Sequence, residues 1–192
     1  MCGFTGFVSR SAPDVNALHA MGDTIRHRGP DDEGYYIDDR CAIAHRRLSI
    51  IDLANGHQPM VSPDGRYVLA YNGEIYNYLQ LREELVAVGQ TFATNSDTEV
   101  LLHGYIQWGP EFTKKLRGMF AFVIWDKEKQ ELYGARDPFG IKPFYYATMG
   151  DTFFFGSEAK SFLPHPDFKK ELNTEALKFY LTFQYSALNE SF

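Results

Sequence analysis

The chain has 192 residues, of which 44% are hydrophobic and 16% aromatic, and its formal net charge is −6. This length and apolar content predict one packed domain, or one domain with a fragment of a second, and argue against disorder. The scattered basic residues argue against a nucleic-acid-binding protein. No signal peptide or bilayer-spanning run is visible, and two cysteines 39 positions apart form neither a disulfide framework nor a metal-ligand pair. We therefore expect no membrane association and a cytoplasmic location.

Apolar periodicity and turn signals predict the elements in chain order. The first half is predicted to hold a strand at 3–9, a helix with Val15, Leu18, Met21 and Ile25 in line, a polar loop at 26–34, and strands at 34–38, 41–46 and 67–71. Two helices follow, at 76–88 and 97–108. The rest is predicted to hold a strand buried on both faces at 119–126 with "ELYGARD" as its hairpin partner, a hairpin of "PFYYAT" and "TFFFGS", and a helix at 173–185. Strands outnumber helices and several are joined by hairpins. The pattern predicts an α+β protein with two packed, mostly antiparallel sheets and helices outside.

Cys2, directly behind Met1, is the first candidate for catalytic chemistry. Taken alone, a cysteine here is more often a small buried apolar residue. If Met1 is removed, however, Cys2 carries both a thiol, with a pKa of about 8.5, and a free α-amine, with a pKa of about 7.7–8.0. The amine can then take the thiol proton near neutral pH, so that one residue supplies nucleophile and base. Cys41 has no such neighbour and is predicted to lie in the core.

Two segments offer groups that a thiol attacking a carbonyl requires. In "LAYNGEIYN" (69–77), the side-chain amide of Asn72 and the backbone N–H of Gly73 could form an oxyanion hole at a strand end. An Asn-Gly pair alone is more often a hairpin turn. "AHRRLSIID" (44–52) contributes Arg47, whose guanidinium could hold a carboxylate with two hydrogen bonds. On this segment alone, an exposed strand arginine is the simpler interpretation.

Asp97 begins the helix predicted from "TNSDTEV" (94–100). Ser96 and Glu99 fit a capping box there, and Asp97 could merely complement the helix dipole. Alternatively, its carboxylate could pair with a substrate ammonium. Together, a thiol, an oxyanion hole, a carboxylate clamp and an ammonium anchor match glutamine, which has an α-carboxylate, an α-ammonium and a side-chain amide.

Seven motifs, in order from Cys2 to about Ser161, resemble the glutaminase domain of glutamine-hydrolysing asparagine synthetases. They are "MCGFTGF", "RHRGPDDEG", "AHRRLSIID", "YNGEIYNY", "SDTEV", "RGMFAFVIWD" and "RDPFGIKPFYY". These enzymes belong to the amidotransferases with an N-terminal nucleophile. "RHRGPD" resembles this branch more than the glucosamine-phosphate or phosphoribosylamine branches of the superfamily.

The resemblance implies a four-layer αββα fold and assigns roles to individual positions. Cys2 becomes the processed N-terminal nucleophile, and Asn72 and Gly73 form the oxyanion hole. Arg47 holds the glutamine carboxylate and Asp97 its ammonium. The implied substrate-binding positions are Arg47, Leu48, Ser49, Ile50, Ile51, Asn72, Gly73, Glu74 and Asp97. "RHRGPD" would lie near the mouth of the pocket, and "ARDPFGIKP" (135–143) would organise the fold and the interdomain face.

The resemblance also predicts a glutaminase domain over residues 1–165, followed by a linker and the start of a truncated synthetase domain over 166–192. The expected reaction is hydrolysis of glutamine to glutamate and ammonia, with ammonia passing to the missing synthetase domain for asparagine synthesis. Nothing in the sequence resembles the "SGGxDS" loop that binds ATP there. We therefore expect no cofactor in this chain, and ATP and magnesium only on the synthetase domain. The expected partners are L-glutamine and that domain, and a homodimer is left open.

Two alternatives remain open at the level of sequence. The chain could be the glutaminase domain of a related amidotransferase with another acceptor, such as a sugar or a peptide carboxylate. It could also be a non-catalytic module that binds glutamine, in which Met1 is retained or the pocket is collapsed.

Overall fold

A computed structural model describes residues 1–48 and 56–185 of the chain. In that part of the chain, five strands form a first sheet in the order β2-β3-β1-β9-β8. Their bounds are β1 Gly3–Val8, β2 Asp32–Ile37, β3 Cys41–Arg47, β8 Tyr145–Met149 and β9 Thr152–Gly156. Four further strands form a second sheet in the order β4-β5-β6-β7. Their bounds are β4 Met60–Val61, β5 Tyr67–Ile75, β6 Gly118–Asp126 and β7 Glu131–Arg136. The described strands pair antiparallel, as predicted.

The two sheets pack face to face, and helices cover their outer faces. Side chains of both sheets share the buried space between them, including Phe4, Ile43, Val68, Val123 and Trp125. Helices α2 (Tyr78–Ala87) and α3 (Asp97–Trp108) pack on the second sheet, and α1 (Val15–Thr24) packs on the first. The layers therefore run helix, sheet, sheet, helix. This confirms the predicted four-layer αββα fold.

The run "MFAFVIWD" shows how the sequence specifies this layering. Side chains of successive strand residues point to opposite faces. Along β6, Ala121, Val123 and Trp125 enter the space between the sheets, whereas Phe120, Phe122 and Ile124 pack under the helices. Both faces of the strand are buried, so the run is continuously apolar. Cys41 faces the space between the sheets, fully buried, as predicted.

The structure corrects three of the predicted details. Strand β5 extends beyond residue 71 to Ile75, so Asn72 and Gly73 lie within a strand and pair with β6. Val15, predicted in line with Leu18, Met21 and Ile25, is 47% exposed, whereas those three are fully buried. The loop predicted at 26–34 contains a 3₁₀ turn at Arg26–Arg28 and the start of β2.

Helix α4 (Thr174–Phe183) is the last element in the described part of the chain, and of its ten residues only Ala176 is buried. Its N-cap is Asn173, whose side chain accepts a hydrogen bond from the N–H of Ala176. The division into 1–165 and 166–192 stays a prediction. Within residues 1–48 and 56–185, no helix combines the length and apolarity needed to cross a membrane.

Candidate active site

A cavity of about 120 Å³ opens at one end of the space between the sheets. Among the predicted site residues, those that line it are Cys2, Arg47, Leu48, Asn72, Gly73, Glu74 and Asp97. They come from the residue before β1, the end of β3 and the residue after it, the end of β5 and the start of α3. Ser49, Ile50 and Ile51, also predicted to contact substrate, lie outside the described residues. The fold thus gathers around one cavity residues that are up to 95 positions apart in sequence.

Strand register explains why these side chains meet. Alternate residues of each strand face the space between the sheets. Along β3 this row reads Cys41, Ile43, His45 and Arg47, and along β5 it reads Val68, Ala70 and Asn72. Both rows are apolar in the middle of the sandwich and polar at the same end. Cys2 continues the row of Phe4, which lies opposite His45. The polar ends of three rows therefore form the cavity wall.

The Cys2 thiol is partly buried and contacts the backbone of Leu48. The Leu48 N–H donates to Sγ at 3.4 Å, and the Sγ–H points to the Leu48 carbonyl at 3.6 Å. The thiol is thus held by backbone groups while it faces the cavity.

Asn72 presents a buried amide donor to this cavity. The side chain is 2% exposed, and among the described residues its Nδ2 has no hydrogen-bond partner. Leaving a buried donor unpaired costs about 1–3 kcal/mol, so such groups are rare in folded proteins. An amide that forgoes a partner inside a cavity beside a thiol is the arrangement that an oxyanion hole requires.

Gly73 adds a backbone donor beside Asn72. Backbone N–H groups of alternate strand residues point to the same edge. The N–H of Tyr71 donates to Gln58 Oε1 at 2.7 Å, and that of Ile75 donates to Asp97 Oδ2 at 3.0 Å, both away from β6. The Gly73 N–H, between them, therefore points to this edge, which borders the cavity. A Cβ at Gly73 would approach the Met119 carbonyl within 2.4 Å, so only glycine fits there.

Asp97 is 7% exposed, and its carboxylate contacts β5 as well as backbone N–H groups at the start of its own helix, those of Thr98 and Asp97. Oδ2 accepts hydrogen bonds from the Tyr71 hydroxyl at 2.7 Å and from the Ile75 N–H at 3.0 Å. Burial raises the pKa of Asp97 above its usual range and outweighs these hydrogen bonds, which lower it. The ionised carboxylate is therefore undercompensated by the protein, and a bound cation would compensate it.

The helix cap itself is Ser96, whose Oγ accepts from the Glu99 N–H at 3.2 Å. A capping box also requires the Glu99 carboxylate to accept from the N–H of Ser96, and this half of the prediction is wrong. The Glu99 carboxylate accepts instead from the N–H groups of Ala93 and Thr94, at 2.8 and 2.7 Å. The side chain of Ser96, and not that of Asp97, is thus the N-cap of this helix.

Arg47 completes the polar wall, and His45 lies two residues before it on β3. Arg47 is 7% exposed, and a Cβ at Gly56 would approach its Nη2 within 2.3 Å, so the glycine leaves room for the guanidinium. The interpretation of Arg47 as an exposed strand arginine is therefore wrong. His45 is fully buried, and its Nε2 lies 3.0 Å from the Tyr71 carbonyl. Burial lowers the pKa of His45 to about 4, so the imidazole is neutral and donates to that carbonyl.

Sequence reasoning missed further residues that line the cavity, namely Gly56, Gln58, Tyr71, Thr98, Met119 and Lys142. Lys142 belongs to the segment that was predicted to organise the fold and the interdomain face. Its side chain is buried, and its Nζ lies 3.5 Å from Met1 Sδ. Asp137 causes this placement, because its carboxylate accepts from the N–H groups of Ile141 and Lys142 and coils the loop back. The sequence "RDP" indicates a turn, but it does not indicate that the Lys142 side chain points into the cavity.

A family model for the glutamine amidotransferase domain matches residues 1–192. Asparagine synthetase [glutamine-hydrolyzing] 1 of Bacillus subtilis (strain 168) is 50% identical over 190 residues, which are 96% of this chain and 30% of that protein. Putative asparagine synthetase [glutamine-hydrolyzing] 2 of Methanocaldococcus jannaschii is 38% identical over 203 residues, covering 94% of this chain and 39% of that protein. The chain thus spans only about a third of the length of these relatives.

Solved structures agree with the fold. The glutamine phosphoribosylpyrophosphate amidotransferase of B. subtilis, complexed with ADP and GMP, matches with a TM-score of 0.70 and 26% identity, over 84% of this chain and 43% of that chain. A structure described as the allosteric regulatory enzyme of purine biosynthesis matches with a TM-score of 0.73 and 25% identity, over 85% of this chain and 43% of that one. Motifs, layering and comparisons agree, and the chain belongs to the glutamine amidotransferase domain family.

Proposed function

We propose that this domain hydrolyses glutamine to glutamate and ammonia through a thioester on Cys2. The observation that carries the proposal is the cavity that brings the Cys2 thiol together with the unpartnered, buried Nδ2 of Asn72. A nucleophile beside a vacant amide donor is suited to acyl transfer. Arg47 and Asp97 in the same cavity offer opposite charges for the α-carboxylate and α-ammonium of the substrate.

The proposed reaction begins with removal of Met1, which is 61% exposed and therefore accessible to an aminopeptidase. The freed α-amine of Cys2 takes the thiol proton, directly or through one water. The thiolate attacks the side-chain carbonyl carbon of glutamine, and the resulting oxyanion accepts hydrogen bonds from Asn72 Nδ2 and the Gly73 N–H.

The tetrahedral intermediate then collapses. The protonated α-amine gives its proton to the leaving nitrogen, the carbon–nitrogen bond breaks, and ammonia departs from a γ-glutamyl thioester. Water attacks the thioester with the amine as base, and a second oxyanion forms in the same hole. Breaking of the carbon–sulfur bond releases glutamate and restores the thiol. Two carbonyl additions thus use a single set of donors.

The names of the relatives support asparagine synthesis as the use of the ammonia, which we propose for the longer protein. On this proposal, a synthetase domain outside this chain receives ammonia, binds ATP and magnesium, and supplies the acceptor site. A related amidotransferase with another acceptor is the alternative. The glutaminase step should therefore proceed without ATP and with a chelator present, because thiol, amine and amide donors complete its chemistry. The cytoplasmic location and a homodimer stay predictions; sedimentation equilibrium would test the latter.

Cys2→Ala tests the proposed mechanism. Glutamate release should fall to background, whereas the melting temperature should stay close to that of the unaltered chain, because Cys2 lies outside the β1 ladder. Cys41→Ala is the matched control, since Cys41 is fully buried in the core. It should lower stability through the cavity it leaves, while the folded protein keeps its turnover.

A diazo-ketone analogue of glutamine provides the second readout. Intact mass and peptide mapping should show one modification per chain, on a chain that begins at Cys2. Glutamate release by Cys2→Ala, or an unmodified Cys2 in chains lacking Met1, would refute the mechanism. Glutamine binding without either activity would instead support the non-catalytic module.

A further inference from the structure

We propose that Glu158 is a positioning residue for the nucleophile and acts through Arg28. Arg28 Nε donates to the backbone carbonyl of Cys2 at 3.0 Å, and Arg28 Nη1 donates to Glu158 Oε1 at 3.0 Å. Glu158 thus positions the Arg28 guanidinium, and that guanidinium in turn positions the backbone of Cys2. This inference rests on the proposed role of Cys2.

The backbone carbonyl of Cys2 lies just outside the ladder of β1, and Arg28 supplies its hydrogen bond. Strand β1 begins at Gly3, so Cys2 precedes the first residue of the ladder. Arg28 lies directly across this peptide, since a Cβ at Gly3 would approach Arg28 Cδ within 2.7 Å. The glycine permits the close approach, and the guanidinium fixes the carbonyl whose residue bears the thiol.

Hydrogen bonds of the neighbouring residue hold Glu158 in place beside β1. The adjacent Ser157 accepts a hydrogen bond from the Phe4 N–H at 3.1 Å through Oγ and donates its own N–H to the Phe4 carbonyl at 2.8 Å. Both groups of Phe4 are thus tied to the segment that follows β9. The Glu158 carboxylate is therefore fixed relative to β1 at Phe4, which is only two residues from Cys2.

The charges around Glu158 suit this role. The Arg28 side chain is 9% exposed and that of Glu158 is 22% exposed, whereas those of His27 and Lys160 are 54% and 49% exposed. His27 Nε2 lies 2.8 Å from Oε1 and Lys160 Nζ 3.0 Å from Oε2. Burial raises the pKa of Glu158, but hydrogen bonds from Arg28, Lys160 and His27 outweigh it and lower the pKa to about 2. The carboxylate therefore stays ionised, and Arg28 is its most buried partner.

Glu158→Gln tests the proposal, since glutamine keeps the size and one acceptor oxygen but removes the charge. A thiol displaced by a fraction of an ångström should lower kcat by about 10- to 100-fold. The KM for glutamine should stay within twofold, because Arg47 and Asp97 are untouched. The maximal rate of Cys2 modification by the diazo-ketone analogue should fall in proportion to kcat. Glu84→Gln, which removes a surface ion pair with Lys115, is the matched control and should change neither rate.

The outcomes separate this inference from the proposed function. If Cys2 of the unaltered chain is not modified, the proposed function fails. If the unaltered chain and Glu158→Gln are modified equally fast, with equal kcat, only the role of Glu158 is refuted. Should Glu158→Gln not fold, Glu158→Asp retains the charge but withdraws the carboxylate. It should then show the same selective loss of kcat, and unchanged kcat in that variant would equally overturn the inference.

Discussion

Asp97→Asn separates substrate binding from stability at a single buried position. In the fold, Oδ2 accepts from the Tyr71 hydroxyl and the Ile75 N–H, and the amide oxygen of asparagine can accept from both. The raised pKa of Asp97 means that the fold disfavours its ionised form, because the folded chain retains the proton to a higher pH than the unfolded chain does. A neutral side chain should therefore leave the melting temperature unchanged or raise it.

Binding should respond in the opposite way. If Asp97 holds the α-ammonium of glutamine, the variant loses a hydrogen bond to a charged group, which contributes about 1.5–3 kcal/mol. This corresponds to a dissociation constant for glutamine about 10- to 150-fold higher. Calorimetric titration with glutamine in a Cys2→Ala background measures the constant without turnover.

Asp126→Asn provides the matched control for this experiment. Asp126 is 5% exposed and accepts hydrogen bonds from Arg66 at 3.0 and 2.7 Å, far along β6 from the cavity. Burial raises the pKa of Asp126, but the contacts with Arg66 and the backbone outweigh it and lower the pKa. This variant should lose stability and keep glutamine affinity. A folded Asp97→Asn chain with a glutamine dissociation constant within twofold of the reference would refute the ammonium assignment.

Two further variants test Asn72 in the cavity and the buried His45 on β3. Asn72→Leu should unfold at the same or a higher denaturant concentration, because it removes an unpaired buried donor, yet kcat should fall by about 10²–10³-fold; a stable variant with unchanged kcat would exclude Asn72 from the oxyanion hole. The pKa of His45 is lowered to about 4 in the folded chain and is about 6.5 in the unfolded chain. The unfolded chain therefore binds the proton more readily, and the free energy of unfolding should fall by about 3 kcal/mol as the pH falls from about 6.5 to about 4. His45→Gln keeps a donor for the Tyr71 carbonyl but does not titrate, so denaturation curves across this range should show a smaller acid loss; identical losses would contradict the assignment.

The strands and helices could be predicted from sequence because two-sided burial leaves a strong pattern. The run at 119–126 indicated a strand buried on both faces, and the structure confirms it. The pair Asn72-Gly73 shows where local statistics fail. It is typical of a hairpin turn, but pairing with Ala121 and Phe120 holds both residues in β5. Tertiary pairing decides such a position, and the pairing partner lies almost 50 residues away.

The site residues could be predicted in part, for a related reason. Cys2, Asn72 and Asp97 have side chains whose chemistry is informative without coordinates. Gln58, Tyr71 and Lys142 line the same cavity, but their role there depends on which backbone group or loop turns them inward. An amide, a phenol and a lysine have too many ordinary roles to indicate a site by type. Their placement is a consequence of the fold, and short sequence patterns do not encode it.

The unpaired groups of this fold gather where the chemistry is proposed. In the described part of the chain, the buried side-chain atoms without a hydrogen-bond partner are Arg28 Nη2, His45 Nδ1 and Asn72 Nδ2. Arg28 holds the Cys2 carbonyl, and His45 holds the Tyr71 carbonyl next to Asn72. Each unpaired buried atom costs stability. If these atoms arose by chance, they would be scattered over the core. Their concentration around Cys2 and Asn72 indicates that stability is given up locally, where a substrate oxygen and water would complete the missing hydrogen bonds.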